Sequence, residues 1–202
     1  MIIGSLCFIF IVLSYLTKDQ LVISTNNIKG LSQQVIEYQP LVEEHLKTHN
    51  KEQYTGIVLS LMMQESGGRG NDPMQASESY CGEVGCITDP NVSIEKGVAY
   101  FSNVLDKAGG DIKLALQSYN FGAGFISYVL ENGGTYTEEL AIEFSQKKYQ
   151  ELKHTGIYSC LREEAKQYDA CYGDIFYVNA VLDYYPDALN YTDDAIQVAV
   201  VE

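Results

Sequence analysis

Apolar residues recur at helical spacing along nearly all of the chain after Gly30. Leu31, Val35 and Ile36 make a first stripe and Leu41, Val42 and Leu46 a second, with Pro40 at the kind of helix start that proline tolerates. Beyond Asn50, Tyr54, Ile57, Val58, Leu61 and Met62 form a third stripe that runs into Glu65 and stops. Gly67 and Gly68 end it, because glycine takes left-handed backbone angles without steric cost. From Ser66 to Pro90 the periodicity lapses in a stretch rich in Gly, Ser, Asp and Asn. Long ordered segments of this kind often carry function. Helical spacing resumes near Ser93 with Ile94, Val98, Phe101, Val104 and Leu105, and ends at Gly109-Gly110. Asp111 is placed to cap a helix from Ile112 to Ser118. Phe121-Gly122-Ala123-Gly124 breaks that helix, and Phe125 to Glu131 predicts another before Gly133-Gly134. Thr135 and Glu138 have capping-box spacing for a helix to about Lys153. A last helix is expected from about Asp174 to Tyr185, ended by Pro186. Strand-like alternation is not evident anywhere in the pattern, so the expected class is all-α, or at most a helix-dominated α+β domain.

The N-terminus breaks this picture. Its first seventeen residues, through Thr17, hold no charged side chain and read as a signal peptide or a signal anchor. No basic residue precedes the apolar run and no clear small-x-small cleavage site follows it, which fits either a true start further upstream or a segment that stays as an anchor. The expected organisation is a membrane segment at 1–17, a polar tether at 18–30, one domain at 31–186, and an acidic tail or start of a linker at 187–202. Of five cysteines, Cys7 lies in the apolar segment and four lie beyond it. An even number in an exported domain implies two disulfides, with three possible connectivities. Local pairing, Cys81 with Cys86 and Cys160 with Cys171, is preferred because each bond would staple a loop. Spacings of five and eleven with no histidine nearby argue against zinc, and nothing else in the sequence calls for a metal or cofactor. The net charge of −14 argues against nucleic acid, whose binding relies on Lys and Arg neutralising phosphates. It suits a neutral or cationic ligand better than a polyanion.

The chemistry concentrates at Glu65. At a helix C-terminus the macrodipole is negative, and partial burial adds a desolvation penalty. Both disfavour the charged carboxylate, which is what a general acid working near neutral pH requires. His45 and His49 share a helical face, but Leu46 follows His45 where a metalloprotease motif needs Glu. They read as a solvated face, and no Ser-His-Asp or Cys-His set can be assembled from the rest.

Three short stretches stand in order: Glu65-Ser66-Gly67-Gly68-Arg69, Pro73-Met74-Gln75-Ala76-Ser77, and Gln117-Ser118-Tyr119-Asn120-Phe121-Gly122. Together they resemble the lysozyme-like fold of goose-type lysozymes and lytic transglycosylases. That family pattern has a Glu-Ser pair, a Gly-Leu-Met-Gln stretch and an Ala-Tyr-Asn-x-Gly stretch. Here Pro73 stands where the family has a Gly-Leu run, and Ser118 replaces Ala. The likeness spans about Leu31 to Tyr185 and is nearest to the lysozyme-like domain of cell-wall hydrolases carried by Gram-positive conjugative elements. In those a membrane segment precedes this domain and an endopeptidase domain commonly follows it.

The resemblance implies an N-acetylmuramidase acting on peptidoglycan glycan strands at the outer face of the membrane or in the wall. It would open the wall locally for a conjugation or secretion apparatus. Glu65 would protonate the glycosidic oxygen, Ser66 would position the carboxyl or the substrate, Gln75 would line the groove, and Tyr119 and Asn120 would support the acid and the sugar. An inverting hydrolase also needs a base roughly 6.5–9.5 Å from the acid. Asp72 and Glu78 are the nearest candidates in sequence, with Glu83 and Asp89 further on. Without such a base, Glu65 could act first as acid and then as base, giving the 1,6-anhydro product of a lytic transglycosylase. A non-catalytic glycan-binding scaffold is the remaining alternative.

Overall fold

The computed structural model describes residues 29–192, and these form helices and connecting turns with no strand among them. The predicted membrane segment at 1–17, most of the tether and the chain beyond Thr192 lie outside the described residues. Within the described part, no helix is long and apolar enough to cross a membrane.

The first two stripes become α1 (Gln33–Glu37) and α2 (Gln39–Thr48). Ser32 caps α1 by accepting from the Val35 amide, and Pro40 sits in the first turn of α2. The third stripe is α3 (Thr55–Glu65), reached through a 3-10 turn at Glu52–Tyr54. Every residue of α3 from Thr55 to Met62 is buried, so this helix is enclosed on all sides, unlike an amphipathic surface helix.

The long loop is partly helical, holding α4 (Ser77–Cys81). The next helix, α5 (Pro90–Lys107), begins three residues earlier than its apolar spacing suggests. Asp89 caps it by accepting from the Asn91 amide, and Pro90 takes the first position, where its missing N–H costs nothing. Asp111 caps α6 as expected, but α6 (Ile112–Phe121) runs on to the phenylalanine. Next come α7 (Gly124–Glu131) and α8 (Glu138–Leu152). The cap of α8 is Thr137, not Thr135: its hydroxyl accepts from Leu140, while Tyr136 is drawn aside by its amide bond to Asp111 and by ring packing on Phe125. The expected last helix is broken in two, α9 (Tyr177–Leu182) and α10 (Tyr185–Ala188). Pro186 lies in the first turn of α10 and does not terminate a helix. Residues 187–191, read from sequence as the start of a tail, are helical turns, with Ala188 fully buried and Asp187 accepting from the Leu31 amide.

The core surrounds α3. Helices α1, α2, α9 and α10 pack on it, α2 also packs on α5, and α6 joins α5 to α9. A second cluster of rings, Phe121, Phe125, Phe144 and Tyr172, ties α6, α7 and α8 together. Two disulfides, Cys81–Cys86 and Cys160–Cys171, close the two irregular stretches, the second packed against the core.

Candidate active site

The buried α3 delivers Glu65 to its last turn, and the chain turns immediately. Gly67 donates to the Met62 and Met63 carbonyls, and Gly67 and Gly68 both have positive φ. At Gly68 glycine is also required by space, since a Cβ there would lie 3.0 Å from the Val35 amide nitrogen. Ser32 completes the junction by donating to the Gly67 carbonyl.

The Glu65 carboxyl is largely shielded from water although the residue as a whole keeps some exposed surface. Its ordinary value near 4.5 is pushed up to about 7, chiefly by desolvation. The Tyr177 hydroxyl donates to Oε1 and works the other way by favouring the anion, while the charges of Asp72 and Asp174 add to the rise. The group therefore exchanges its proton near neutrality.

Asp72, seven residues on, shows the opposite behaviour. Its Oδ1 accepts from the Ala76 amide at 2.9 Å and the Ser93 hydroxyl at 2.6 Å, and Oδ2 from the Ser77 amide at 3.0 Å and the Ser77 hydroxyl at 2.6 Å. Burial alone would raise this carboxyl, but the four donors together hold it below its usual range. They also occupy its acceptor sites. The two serines pass the order on: Ser93 accepts from the Met74 amide and Ser77 from the Ile87 amide. Asp72 is the anchor of its loop.

Backbone around Met74 is fixed from every side. Ser66 donates to the Pro73 carbonyl and accepts from Gly68, Tyr119 donates to the Met74 carbonyl at 2.8 Å, and Met74 fits against Gly97, where a Cβ would meet the methionine Cβ at 2.5 Å. This holds Gln75 at φ 47°, a left-handed conformation that a non-glycine residue keeps only when its surroundings impose it. Gln75 stays exposed, its amide donating to the Asp72 carbonyl.

Opposite, α6 contributes Tyr119 and Asn120. The Asn120 side-chain oxygen accepts from the Asp174 amide, while Gln117 donates to the Asp174 carbonyl. Asp174 in turn accepts from the Phe176 amide at the start of α9, the helix that carries Tyr177.

Two adjoining hollows result. A smaller one of about 210 Å³ is lined by Glu65, Asp72 and the tip of the Cys81–Cys86 loop, Val84 and Gly85. A larger one of about 520 Å³ has walls of Tyr100, Tyr158 and Tyr172 and an apolar lip, Ile157 and Leu161, beside the second disulfide. Gln75, Glu78, Tyr119 and Asn120 line both, so the two form one groove with these four at its waist. Among the lining residues there are carboxyls but no Lys or Arg.

The expected site residues are thus only partly gathered. Glu65, Gln75, Tyr119, Asn120, Asp72 and Glu78 share the groove. Ser66 is not among the lining residues, and its hydroxyl is engaged with loop backbone, not with the Glu65 carboxyl. Glu83 does not line either hollow and Asp89 caps α5, so neither is placed as a second carboxylate. Sequence reasoning missed Tyr177 and Asp174. The one signal for Tyr177 was a phenol inside an apolar stripe, whose hydroxyl must find a partner when buried.

A family model described as lysozyme-like matches residues 32–185. The chain is 36% identical over 208 residues to the uncharacterized membrane protein YocA of Bacillus subtilis, covering 96% of this chain and 89% of that protein. It is 45% identical over 117 residues to the bifunctional muramidase/DL-endopeptidase CwlT of the same species, covering 58% of this chain but only 36% of CwlT. Among solved structures, an NLP/P60-family lipoprotein-like protein of Staphylococcus aureus superimposes with a TM-score of 0.66 at 35% identity, over 78% of this chain and 54% of the other.

Proposed function

The chain belongs to the lysozyme-like family, and from that premise we propose that it cleaves the glycan strands of peptidoglycan, with Glu65 as the proton donor. The observation that carries the reading is the Glu65 carboxyl, shielded at the end of α3, raised to about 7 and open to a groove. A glycosidic oxygen leaves as a poor anion unless it is protonated as the bond breaks, and an acid with its pKa near the working pH does this best. Amides at Gln75 and Asn120 can bond sugar hydroxyls and acetamido groups without competing for that proton. Tyrosines along the larger hollow offer faces for sugar rings. The muramidase named in CwlT supports the bond between N-acetylmuramic acid and N-acetylglucosamine as the one cut.

In the hydrolytic version a water attacks from the opposite face, and Glu78 is the carboxylate we assign to activate it. It lines both hollows, whereas the acceptor sites of Asp72 are taken by four donors. That same saturation of Asp72 favours a second reading, a lytic transglycosylase. There Glu65, having given up its proton, takes one from the sugar's own 6-hydroxyl. A purely glycan-binding scaffold has less support, since binding does not need a carboxyl held protonated. We place the protein at the outer face of the membrane or in the wall, in keeping with its uncharged first seventeen residues and with the membrane-protein name of YocA. Service to a conjugation or secretion apparatus rests on the resemblance to hydrolases of conjugative elements.

Digestion of purified peptidoglycan by the wild-type protein and by Glu65→Gln, with the new sugar ends read by mass spectrometry, tests this. Reducing muramic acid ends that vanish in the variant support the hydrolase, and 1,6-anhydro ends the transglycosylase. A folded wild-type protein that leaves the strands intact overturns both.

A further inference from the structure

Arg162 lies within the loop closed by Cys160–Cys171 and does not line the groove. Its Nε stands 2.9 and 2.8 Å from the two Asp174 carboxylate oxygens, and an Nη lies 2.7 Å from Oδ2. Asp174 is only 6% exposed. The same aspartate bonds Asn120 and Gln117 through its backbone and the Phe176 amide through its side chain, so it sets the turn from which α9 departs. The first residue of α9 is Tyr177, whose hydroxyl reaches Glu65.

We propose that Arg162 is a positioning residue for Glu65: by neutralising the buried Asp174 it fixes the turn that presents Tyr177 to the acid and sets the net charge that the acid faces. The inference rests on Glu65 being the proton donor, as argued above. The groups that act on Glu65 are Tyr177 from α9, Asp72 from its loop and Asp174 from the turn before α9, while Tyr119 from α6 feels the charge of Glu65 in turn. Arg162 itself is acted on by Asp174, Glu164 and Asp183, and it is the one cation in this set. Leu161, its neighbour in sequence, lines the larger hollow, so the loop that meets a bound strand is the loop that holds this arginine.

Opposite substitutions give opposite signs. Arg162→Met leaves the charge of Asp174 uncompensated, so Glu65 holds its proton more tightly. Asp174→Asn removes that charge, so Glu65 releases its proton more readily. A displacement on the order of half a pH unit in each direction is expected, because a charge close by moves a carboxyl by about 1–3 pH units and Asp174 is the smallest of the contributions acting on Glu65. Arg162→Lys keeps the charge but loses the planar fork, so Glu65 should be displaced in the same direction as in Arg162→Met and by less.

Two readouts separate this inference from the proposed activity: a carbon-13 NMR titration of Glu65 in the intact, substrate-free protein, and the alkaline limb of kcat/KM on peptidoglycan. If the protein cuts no glycan, the activity proposal falls and the NMR titration still decides the role of Arg162. Should Arg162→Met fail to fold by near-ultraviolet circular dichroism, Asp174→Asn and Arg162→Lys carry the test. Titrations that coincide with wild type in folded Arg162→Met or Asp174→Asn overturn the inference. So do displacements of the same sign in both.

Discussion

The last turn of α3 and the loop anchored by Asp72 each place a carboxyl against the same small hollow, and the two carboxyls behave in opposite ways. Among the described residues Glu65 has a single side-chain donor, Tyr177, and a shielded site, so desolvation dominates and its proton is held up to about 7. Asp72 has two amides and two hydroxyls, and it stays ionised below its ordinary range. Proximity to the groove is common to both; the supply of donors decides which one carries a proton. The enclosed helix end keeps a proton, and the donor-rich loop keeps its shape.

The sharpest way to break this contrast is Glu65→Gln. Glycan cleavage should fall by about 10²–10⁴-fold, the usual span for removing a general acid. The same change should make the protein more stable at high pH. For a carboxyl raised from 4.5 to about 7, the stability it lends is complete below pH 4.5 and is lost as the pH rises through 7. The loss amounts to about 3 kcal/mol at pH 8, since each pH unit separating the folded from the unfolded value is worth about 1.36 kcal/mol. Urea denaturation at pH 4 and pH 8 should show wild type and variant diverging only at the higher pH. Equal stability of the two proteins at pH 8 would mean that Glu65 is not desolvated.

Asp72→Ala should act through the fold. It strands Ser77, Ser93 and two loop amides, at a cost on the order of 3 kcal/mol. Because the carboxyl is lowered in the folded state, its contribution is present above pH 3.8 and lost below it, the reverse of Glu65. A variant as stable as wild type but inactive would turn Asp72 into the missing base.

Tyr177→Phe is smaller and sharpens the comparison. Without its one donor Glu65 should titrate higher still, moving the alkaline limb of the pH–rate profile upward. An unmoved limb would show that the hydroxyl does not bond the carboxyl in solution. The smallest effect on the fold is expected from Glu78→Gln, an exposed residue whose substitution should change stability by less than about 0.5 kcal/mol. Its kcat divides the two chemistries: it drops if water must be activated and holds if the product is a 1,6-anhydro sugar.

Much of this was legible in the chain. The apolar stripe from Ile57 to Met62, the glycines after Glu65 and the cap at Asp111 are local signals, and each reappears in the structure where the pattern puts it. Gln75, Tyr119 and Asn120 also converge on the groove. The failures share a cause. Ser66 turns its hydroxyl to loop backbone, and Asp72, although it lines the groove, spends its oxygens on serines and amides, partners that spacing does not reveal. The late start of the last helix, at Tyr177 instead of Asp174, follows from Asp174 spending its side chain on Arg162 and the Phe176 amide, again a matter of partners.

By itself the sequence determined the helical class, the helix that stops at Glu65 and the residue at its end, because period and glycine punctuation act within a few residues of one another. Only the tertiary structure decided which carboxyl keeps a proton. Tyr177 is 112 residues from Glu65 in the chain, and desolvation exists only once α6, α9 and the Asp72 loop have closed around the acid.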